Sequence, residues 1–333
     1  MSVIAITVGD YNGIGPEVAL KSAASRTIRA NCTPLLIGPY KAFEFYAEKY
    51  SLRRKILKVD SLSEAVGRSE ITILDICPDF NEKIRPGKID KQSGMWAGRS
   101  IERAVRLCVE GEADAMVTAP VSKESLRQGG YDFPGQTEMV TTLSHSKGSI
   151  MIMASGFGRI ALATIHIPLS QVAQTLTKQL LLERLSVFND SIRKDFGVKA
   201  PRIAVLGLNP HAGENGLIGT EEKAIIRPAI DEALSRKINA EGPFPADAFF
   251  GTYRDGMFDG IFAMYHDQGL IPLKMRSFST GINFTAGIKI IRTSPDHGTA
   301  FDIAGKGIAN PSSTIEAIKL ALEISRNRKA ARN

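Results

Sequence analysis

The sequence predicts an α/β fold in which parallel strands are covered by helices. Short β-branched or apolar runs recur along the chain, and longer segments with apolar residues at helical spacing separate them. The length of 333 residues allows two domains with sizeable cores. Because no Pro/Gly/Ser-rich linker separates two halves, we expect the chain to cross between the domains more than once.

The first half begins with a strand–turn–helix unit. Val3–Val8 is a β-branched run that ends in the glycine-rich turn Gly9–Gly15, and Pro16 opens the helix that follows. An amphipathic helix has its apolar residues between Ile101 and Val109 and is predicted to end at Gly111. The same reasoning predicts further strands at Pro34–Gly38, Ile71–Leu74 and Asp114–Ala119.

The second half repeats the alternation. Strands are predicted at Arg159–Ile165, Arg202–Gly207 and Gly260–Met264, and helices at Leu180–Arg193 and Glu221–Leu234. The final stretch, Ser325–Asn333, carries four basic residues, and we expect it to be a solvated, frayed end.

The composition predicts a cytoplasmic protein. Three scattered cysteines argue against a disulfide framework, and the sequence shows neither a signal peptide nor an apolar run of transmembrane length. The net charge of +7 is compatible with nucleic acid, a membrane surface or a small anionic substrate. A nucleic-acid-binding protein is disfavoured because aromatic residues make up only 7% and no basic stripe is visible.

Three of the five histidines follow predicted strands: His166, His211 and His266. Ligands of open α/β sheets bind outside the carboxyl ends of the strands, which is where these imidazoles are expected. Three neutral imidazoles leave an open position on a divalent ion, as a catalytic site requires. The alternative is three unrelated histidines in loops.

Two glycine-rich segments and a group of polar residues are further candidates. The first segment, Gly9–Glu17, is either a phosphate-cradling loop or a tight turn. The second, Thr293–Pro311, is long enough without an apolar run to be a functional loop around an adenine and ribose. Two cations and an amide just before the second segment, Lys274, Arg292 and Asn283, would suit a phosphate or carboxylate. Gln136 and Thr137, further upstream, would add neutral donors.

Several motifs together resemble one family over essentially the whole chain. The supporting segments are GDYNGIGPE (9–17), DAMVTAPVSKE (114–124), FPGQTE (133–138), HIP (166–168), NPHAGENG (209–216), GPFPAD (242–247), YHDQGLIPLK (265–274) and RTSPDHGTAFDIAGKG (292–307). The chain resembles the 4-hydroxythreonine-4-phosphate dehydrogenase family of vitamin B6 biosynthesis.

The resemblance implies an architecture similar to isocitrate and isopropylmalate dehydrogenases, with two α/β/α domains, a cleft between them and a homodimer. We place the cofactor loop in an α/β domain of residues 1–135 and 285–333. Residues 136–284 would form the second α/β domain, with the metal ligands and the dimer contacts. This fold binds NAD or NADP without a GxGxxG motif, in agreement with the absence of that motif here.

The resemblance also implies the site residues. One divalent ion (Zn, Mg, Co or Mn) would be held by His166, His211 and His266, the third coming from the other subunit. NAD or NADP would contact His297, Gly298, Thr299, Ala300, Asp302 and Asn310. The phosphorylated substrate would contact Gln136, Thr137, Lys274, Asn283 and Arg292. Lys274 is the expected base, and Asp247 and Asp267 match acidic positions near the site.

The implied reaction is oxidation of 4-phosphooxy-L-threonine at C3, followed by decarboxylation to 3-amino-2-oxopropyl phosphate. Two departures leave the substrate open: Gln136 stands where the family commonly has His, and the opening is GDYNG rather than the more usual GDPAG. A glutamine forms hydrogen bonds but cannot become charged. A paralogous dehydrogenase of 4-phospho-threonate or -erythronate, or of a dihydrodiol dicarboxylate, is the alternative.

Overall fold

The computed structural model describes residues 1–277 and 280–331. These residues divide into two compact α/β units. Unit 1 comprises Met1–Ser149 and Ile288–Arg326, and unit 2 comprises Ile150–Gly287 and Asn327–Asn333. The chain therefore enters each unit twice. The predicted α/β class is confirmed.

The strands, in chain order, are β1 (Ser2–Thr7), β2 (Cys32–Gly38), β3 (Ile56–Val59), β4 (Ile71–Asp75), β5 (Ala115–Val117), β6 (Ile150–Ser155), β7 (Gly158–Leu162), β8 (Arg202–Leu206), β9 (Asn239–Phe244), β10 (Gly260–Ala263), β11 (Ile282–Ala286) and β12 (Arg292–Pro295). The helices are α1 (Gly15–Ala24), α2 (Arg26–Arg29), α3 (Tyr40–Lys49), α4 (Leu62–Ala65), α5 (Lys91–Val109), α6 (Lys123–Gln128), α7 (Gln136–Leu143), α8 (Leu169–Thr175), α9 (Lys178–Lys194), α10 (Arg227–Ser235), α11 (Ala246–Thr252), α12 (His266–Ser277) and α13 (Ser312–Ala330).

Unit 1 has the strand order β3-β4-β2-β1-β5-β12, and every pair in it is parallel. Ile4, Ala5 and Ile6 of the central strand β1 are all completely buried. A parallel strand covered on both faces reads as a continuous apolar run, which is why this strand was visible in the sequence. Helix α5 packs against β1 and β2 and contributes Ile101, Ala104 and Val105 to the core.

Unit 2 has the strand order β11-β6-β7-β10-β8-β9. The pairs from β7 to β9 are parallel, as predicted, whereas β6 runs antiparallel to both β7 and β11. The alternation of strands and helices in the sequence predicted parallel pairing only. The short connection explains the β6–β7 pair, because Ser155 pairs with Gly158 and a loop of that length can join antiparallel strands only.

The compact units change over at a different point from the predicted domain boundary. The predicted boundary follows residue 135, but α7 belongs to unit 1, where Met139 and Val140 are part of the core. The return is at Ile288 rather than at residue 285. The functions assigned to the two domains remain a prediction.

The expectation of a frayed C-terminal end is wrong for the described residues. Helix α13 continues to Ala330, and Ser325 is buried. Arg328 Nε donates to Asp195 Oδ1 at 2.6 Å, and Asn327 Nδ2 donates to the Asp195 carbonyl at 2.8 Å. Asp195 is itself buried, so Arg328 is held by a specific carboxylate instead of being solvated.

Within the part of the chain that the structure describes, no helix is both long enough and apolar enough to cross a membrane.

Candidate active site

Three adjacent parallel strands of unit 2 are each followed by one of the predicted metal ligands. The strands are β7, β10 and β8, and the histidines are His166, His266 and His211. Carboxyl ends of parallel strands lie at one edge of a sheet, which is the ligand-binding edge of this class of fold. The topology therefore places all three imidazoles beyond the same edge, as the sequence predicted.

His166 and His266 lie side by side. Their ring centroids are 6.0 Å apart, and the ring planes are inclined by 43°. The Nδ1 atom of His266 is 2.6 Å from Asp267 Oδ1. A carboxylate on one ring nitrogen orients the imidazole and leaves Nε2 as the nitrogen for a ligand, which is the arrangement that metal-binding histidines use.

His211 is presented by an unusual turn, Pro210–Gly216. Five successive residues from His211 to Asn215 have positive φ, and His211 itself has φ 53° and ψ 27°. Its side chain is exposed. Among the described residues no three His, Cys, Asp or Glu side chains stand close enough to hold a metal ion.

The histidine pair fits a divalent ion as part of a ligand set. Two imidazoles on one tetrahedral zinc place their ring centroids roughly 5 Å apart, given Zn–N distances near 2.1 Å. The separation of 6.0 Å between His166 and His266 of one chain is therefore close to what a shared ion needs, whereas the resemblance implied that His266 comes from the other subunit. Imidazole nitrogens suit zinc and other first-row metals.

The remaining unit 2 candidates lie on α11, α12 and β11. Asp247 is exposed in the first turn of α11, and Lys274 is half-buried on α12, eight residues after His266. Asn283 on β11 has a buried Oδ1 with no hydrogen-bond partner in the described structure. A buried polar atom without a partner costs free energy, so a ligand donor is the natural complement of this oxygen.

Unit 1 contains a buried cation surrounded by hydroxyl groups. Arg292 is 2% exposed, and its Nε and Nη2 atoms donate to Thr118 Oγ1 at 3.1 and 2.7 Å. Its Nη1 donates to Thr137 Oγ1 at 3.3 Å, and Gln136 Oε1 is 3.5 Å from Nη2. Burial lowers the pKa of Arg292 to about 10, opposed by the charge of Glu138, so the guanidinium remains cationic near neutral pH.

Three predicted substrate residues, Gln136, Thr137 and Arg292, are thus brought together, whereas Thr118 was missed. Thr118 directly follows β5, which pairs with β12 next to Arg292. Thr118 lies directly after a strand in the segment DAMVTAP (114–120), which carries the family resemblance, and this position could have identified it from the sequence. Gln136 and Thr137 also form the first turn of α7, where backbone N–H groups and the helix dipole favour an anion.

The predicted cofactor loop follows β12 and contains no strand or regular helix before α13. His297 is half-buried in this loop: its Nε2 atom is buried without a partner in the described structure, and Nδ1 lies 3.3 Å from the Gly298 carbonyl. Burial lowers the pKa of His297, so the imidazole is neutral at neutral pH. A neutral, buried, unpartnered ring nitrogen fits the hydrogen-bonding edge of a nucleotide base.

The other predicted cofactor residues are more open. Gly298, Asp302 and Asn310 are exposed, and Thr299 and Ala300 are half-buried. Asn310 Oδ1 accepts hydrogen bonds from the backbone N–H and the hydroxyl of Ser312, at 2.9 and 2.7 Å, at the start of α13.

One charged pair on helix α1 holds the far end of this loop. Glu17 Oε1 accepts from the Ala309 N–H at 2.7 Å, and Lys21 Nζ donates to the Gly307 and Ala309 carbonyls at 2.9 and 2.8 Å. Lys21 and Glu17 also form an ion pair of 2.7 Å. A loop without regular structure must satisfy its backbone groups in this way.

The first glycine-rich segment is internal. Every residue from Gly9 to Gly15 is buried, and Asp10 Oδ1 accepts from the Asn12 N–H and the Ser93 hydroxyl at 2.9 and 2.8 Å. Gly13 lies so close to the cofactor loop that a Cβ atom would come within 2.9 Å of the Thr299 carbonyl oxygen. Of the two predicted roles, the geometry favours a tight turn that supports the cofactor loop.

Known proteins closely resemble this chain. It is 43% identical over 333 residues to a 4-hydroxythreonine-4-phosphate dehydrogenase of Bacteroides thetaiotaomicron, covering 99% of this chain and 91% of that protein. It is 41% identical over 332 residues to a D-threonate 4-phosphate dehydrogenase of Cupriavidus necator, with 98% of each covered. The crystal structure of 4-hydroxythreonine-4-phosphate dehydrogenase from Klebsiella pneumoniae superposes with a TM-score of 0.89 at 38% identity, covering 97% of this chain and 98% of that one.

A more distant match concerns the fold alone. Isocitrate dehydrogenase from Methylococcus capsulatus superposes with a TM-score of 0.51 at 16% identity, covering 100% of this chain and 88% of that one. The predicted similarity to isocitrate-type dehydrogenases is thereby confirmed. Fold and relatives together define the chain as an oxidoreductase, a dehydrogenase acting on a CH–OH group. It belongs to the family described as pyridoxal phosphate biosynthetic protein PdxA, which it matches over residues 30–321.

Proposed function

We propose that the chain oxidises 4-phosphooxy-L-threonine at C3 with NAD or NADP. The product, 2-amino-3-oxo-4-phosphooxybutanoate, loses carbon dioxide to give 3-amino-2-oxopropyl phosphate, a step of pyridoxal phosphate biosynthesis. The observation that carries the proposal is the buried guanidinium of Arg292 with the hydroxyls of Thr118 and Thr137. This set of donors suits a phosphate group, and the Bacteroides relative is named for a phosphorylated substrate.

Each of the chain's candidate site residues has its own role in binding or in proton transfer. Arg292, Thr137 and Gln136 bind the substrate phosphate, and Asn283 Oδ1 accepts a hydrogen bond from a substrate donor. Lys274 takes the proton of the C3 hydroxyl while the hydride leaves C3, so that a ketone forms. When bound, a divalent ion and a nicotinamide would supply polarisation of the hydroxyl oxygen and acceptance of the hydride. His166, His211 and His266 would hold the ion, and the loop that starts at His297 would bind the dinucleotide.

We also propose that the working unit is a homodimer with the metal site shared between subunits. Each predicted ligand is followed, three to six residues on, by a large, exposed apolar side chain: Leu169 after His166, Leu217 after His211 and Ile271 after His266. Their exposed fractions are 70%, 85% and 56%. Exposed apolar side chains beside functional residues are typical of an interface, which here would bring a second copy to the metal site.

The second candidate substrate is D-threonate or erythronate 4-phosphate. The Cupriavidus relative, which is 41% identical, is named for D-threonate 4-phosphate. Gln136 keeps this candidate open, because a glutamine stands where the family commonly has a histidine and it cannot become charged. A dihydrodiol dicarboxylate would suit the same arginine less well, since the Thr137 hydroxyl and the backbone N–H groups at the start of α7 add donors for a third anionic oxygen.

The test is a substrate panel with the purified protein. NAD(P)H formation is followed with 4-phosphooxy-L-threonine, D-threonate 4-phosphate and erythronate 4-phosphate, each before and after chelation and re-addition of Zn²⁺, Mn²⁺, Mg²⁺ or Co²⁺. We expect the highest kcat/KM for 4-phosphooxy-L-threonine and loss of turnover on chelation. A higher kcat/KM for a threonate would select the second candidate, and undiminished turnover in chelator would remove the metal from the proposal.

A further inference from the structure

The backbone that presents His211 contains the longest run of left-handed residues in the described part of unit 2. Residues His211, Ala212, Glu214 and Asn215 have φ between 43° and 54°, in the left-handed region, and Gly213 between them has φ 81°. Residues with a Cβ atom rarely adopt this backbone conformation, and several such residues in succession are rarer still. Such a segment persists only where its surroundings hold it, and strained segments concentrate at functional sites.

A buried carboxylate holds the entrance of this segment. Glu222 is 5% exposed, and its Oε1 atom accepts from the backbone N–H groups of Leu208 and Asn209 at 2.7 and 2.6 Å. Its Oε2 atom accepts from Asn209 Nδ2 at 2.9 Å, and the same amide nitrogen donates to Glu221 Oε2 at 2.7 Å. Glu222 therefore fixes both the backbone and the side chain just before Pro210.

The turn also closes tightly over this carboxylate. A Cβ atom at Gly213 would lie 2.6 Å from Glu222 Oε2, so only glycine allows the approach. Glu222 itself begins a single π-helical turn, Glu222–Ile226, that precedes α10. Turns of this kind occur frequently at functional sites. The residues after β8 and the start of the next helix are thus joined at one carboxylate.

We propose that Glu222, together with Asn209, is a positioning residue that holds His211 in its left-handed conformation for metal binding. The inference rests on the proposed function, in which His211 is a metal ligand. Glu222 is not a metal ligand in this proposal, because both of its carboxylate oxygens accept hydrogen bonds from N–H groups. Residues that orient a metal ligand from behind commonly change metal affinity by about 10–100-fold when removed.

The test uses full-length protein with Glu222→Gln and, as a milder change, Asn209→Ala. Glutamine replaces one acceptor oxygen by an NH₂ group that faces the amide donor of Asn209. We expect the Kd for Zn²⁺, measured by chelator competition, to rise about tenfold or more in Glu222→Gln and less in Asn209→Ala. Hydrogen exchange of the metal-free protein should accelerate about tenfold across 208–216 and not elsewhere in unit 2.

Glu214→Gln is the matched control, since Glu214 lies in the same turn with an exposed side chain. It should leave the Zn²⁺ affinity and the exchange rates at the wild-type values. His211→Ala distinguishes a failure of the positioning role of Glu222 and Asn209 from a failure of the metal role of His211. Weakened Zn²⁺ binding in His211→Ala with wild-type binding in both Glu222→Gln and Asn209→Ala overturns the positioning role alone. Wild-type binding in His211→Ala overturns the metal role of His211 as well.

Discussion

At the scale of single residues, Arg292 shows how a charge is kept inside a protein. An isolated buried cation is costly, so its N–H groups need acceptors. The hydroxyls of Thr118 and Thr137 provide these acceptors without neutralising the guanidinium. Burial lowers its pKa to about 10, which still keeps the side chain charged at neutral pH. The guanidinium therefore retains its positive charge, which the proposed anionic substrate would require.

Thr118→Val tests this arrangement. Valine keeps the shape of the side chain but removes the acceptor of two guanidinium N–H groups, so the free energy of unfolding should fall by about 1–3 kcal/mol. Urea unfolding measures the change. Thr72→Val is the matched control, because Thr72 is also buried but makes one long hydrogen bond of 3.4 Å to the Pro34 carbonyl. Equal losses in the two variants would show that Thr118 has no special role.

The lowered pKa of His297 predicts a dependence of stability on pH. Burial favours the neutral imidazole in the folded chain, while the unfolded chain takes up a proton near its ordinary pKa of about 6.5. The contribution of His297 is therefore complete above that pH and is lost as the pH falls below it. Urea unfolding from about pH 7.5 to 5.5 should show a smaller loss of stability in His297→Asn than in wild type. His145→Asn, at an exposed loop histidine, should keep the wild-type dependence.

At the scale of elements, one face of helix α1, together with the residue just before the helix, supports the cofactor loop. Ile14 and Val18 pack against Ala304 and Ala309, and Lys21 continues the same face one turn further. The sequence predicted where this helix begins, from Pro16, because capping is a local property. It could not show that Glu17 and Lys21 bind a segment almost 300 residues away, since that contact depends on the tertiary fold.

Lys21→Met should raise the KM for NAD or NADP about tenfold and leave kcat nearly unchanged. Methionine keeps the length of the side chain but loses both carbonyl contacts, so the loop becomes less ordered and cofactor binding must order it again. Steady-state kinetics at saturating substrate measures the change. Lys319→Met, which removes an exposed lysine paired with Glu316, is the control and should behave as wild type. A fall in kcat alone would contradict the role of Lys21.

Some strands could be predicted from the sequence and others could not. β1 and β8 were predicted because apolar residues fill both faces. β12 was missed although its four residues, Arg292–Pro295, are all buried, because three of them are polar. It is a strand because it pairs with β5 and because Thr293 Oγ1 donates to the Ala317 carbonyl at 2.8 Å. Local patterns register apolar burial, whereas polar burial depends on partners supplied by other elements.

At the scale of the whole molecule, the candidate residues are distributed over two units. Unit 1 contains Arg292 with its partners and the cofactor loop, and unit 2 contains the histidines with Lys274 and Asn283. No three potential metal ligands come together within the described part of one chain. Our proposal of a shared site in a homodimer accounts for this distribution of ligands.

Mixing inactive variants tests the shared site. His166→Ala, His211→Ala and His266→Ala are each expected to be inactive, and they are unfolded and refolded together in pairs. If two ligands come from different chains, half of the dimers become hybrids with one intact site in two, so about a quarter of the wild-type turnover returns. Refolding each variant alone is the control. No recovery in any of the three pairs would place all ligands in one chain.

The sequence by itself determined the α/β class, the strand ends that carry the three histidines, and the family. These depend on local apolar patterns and on motifs that are read residue by residue. Only the tertiary structure decided that Thr118 holds Arg292, that Glu17 and Lys21 hold the cofactor loop, and that Glu222 holds the turn of His211. Buried polar groups must find partners wherever the fold supplies them, and the sequence separation of those partners follows no local pattern.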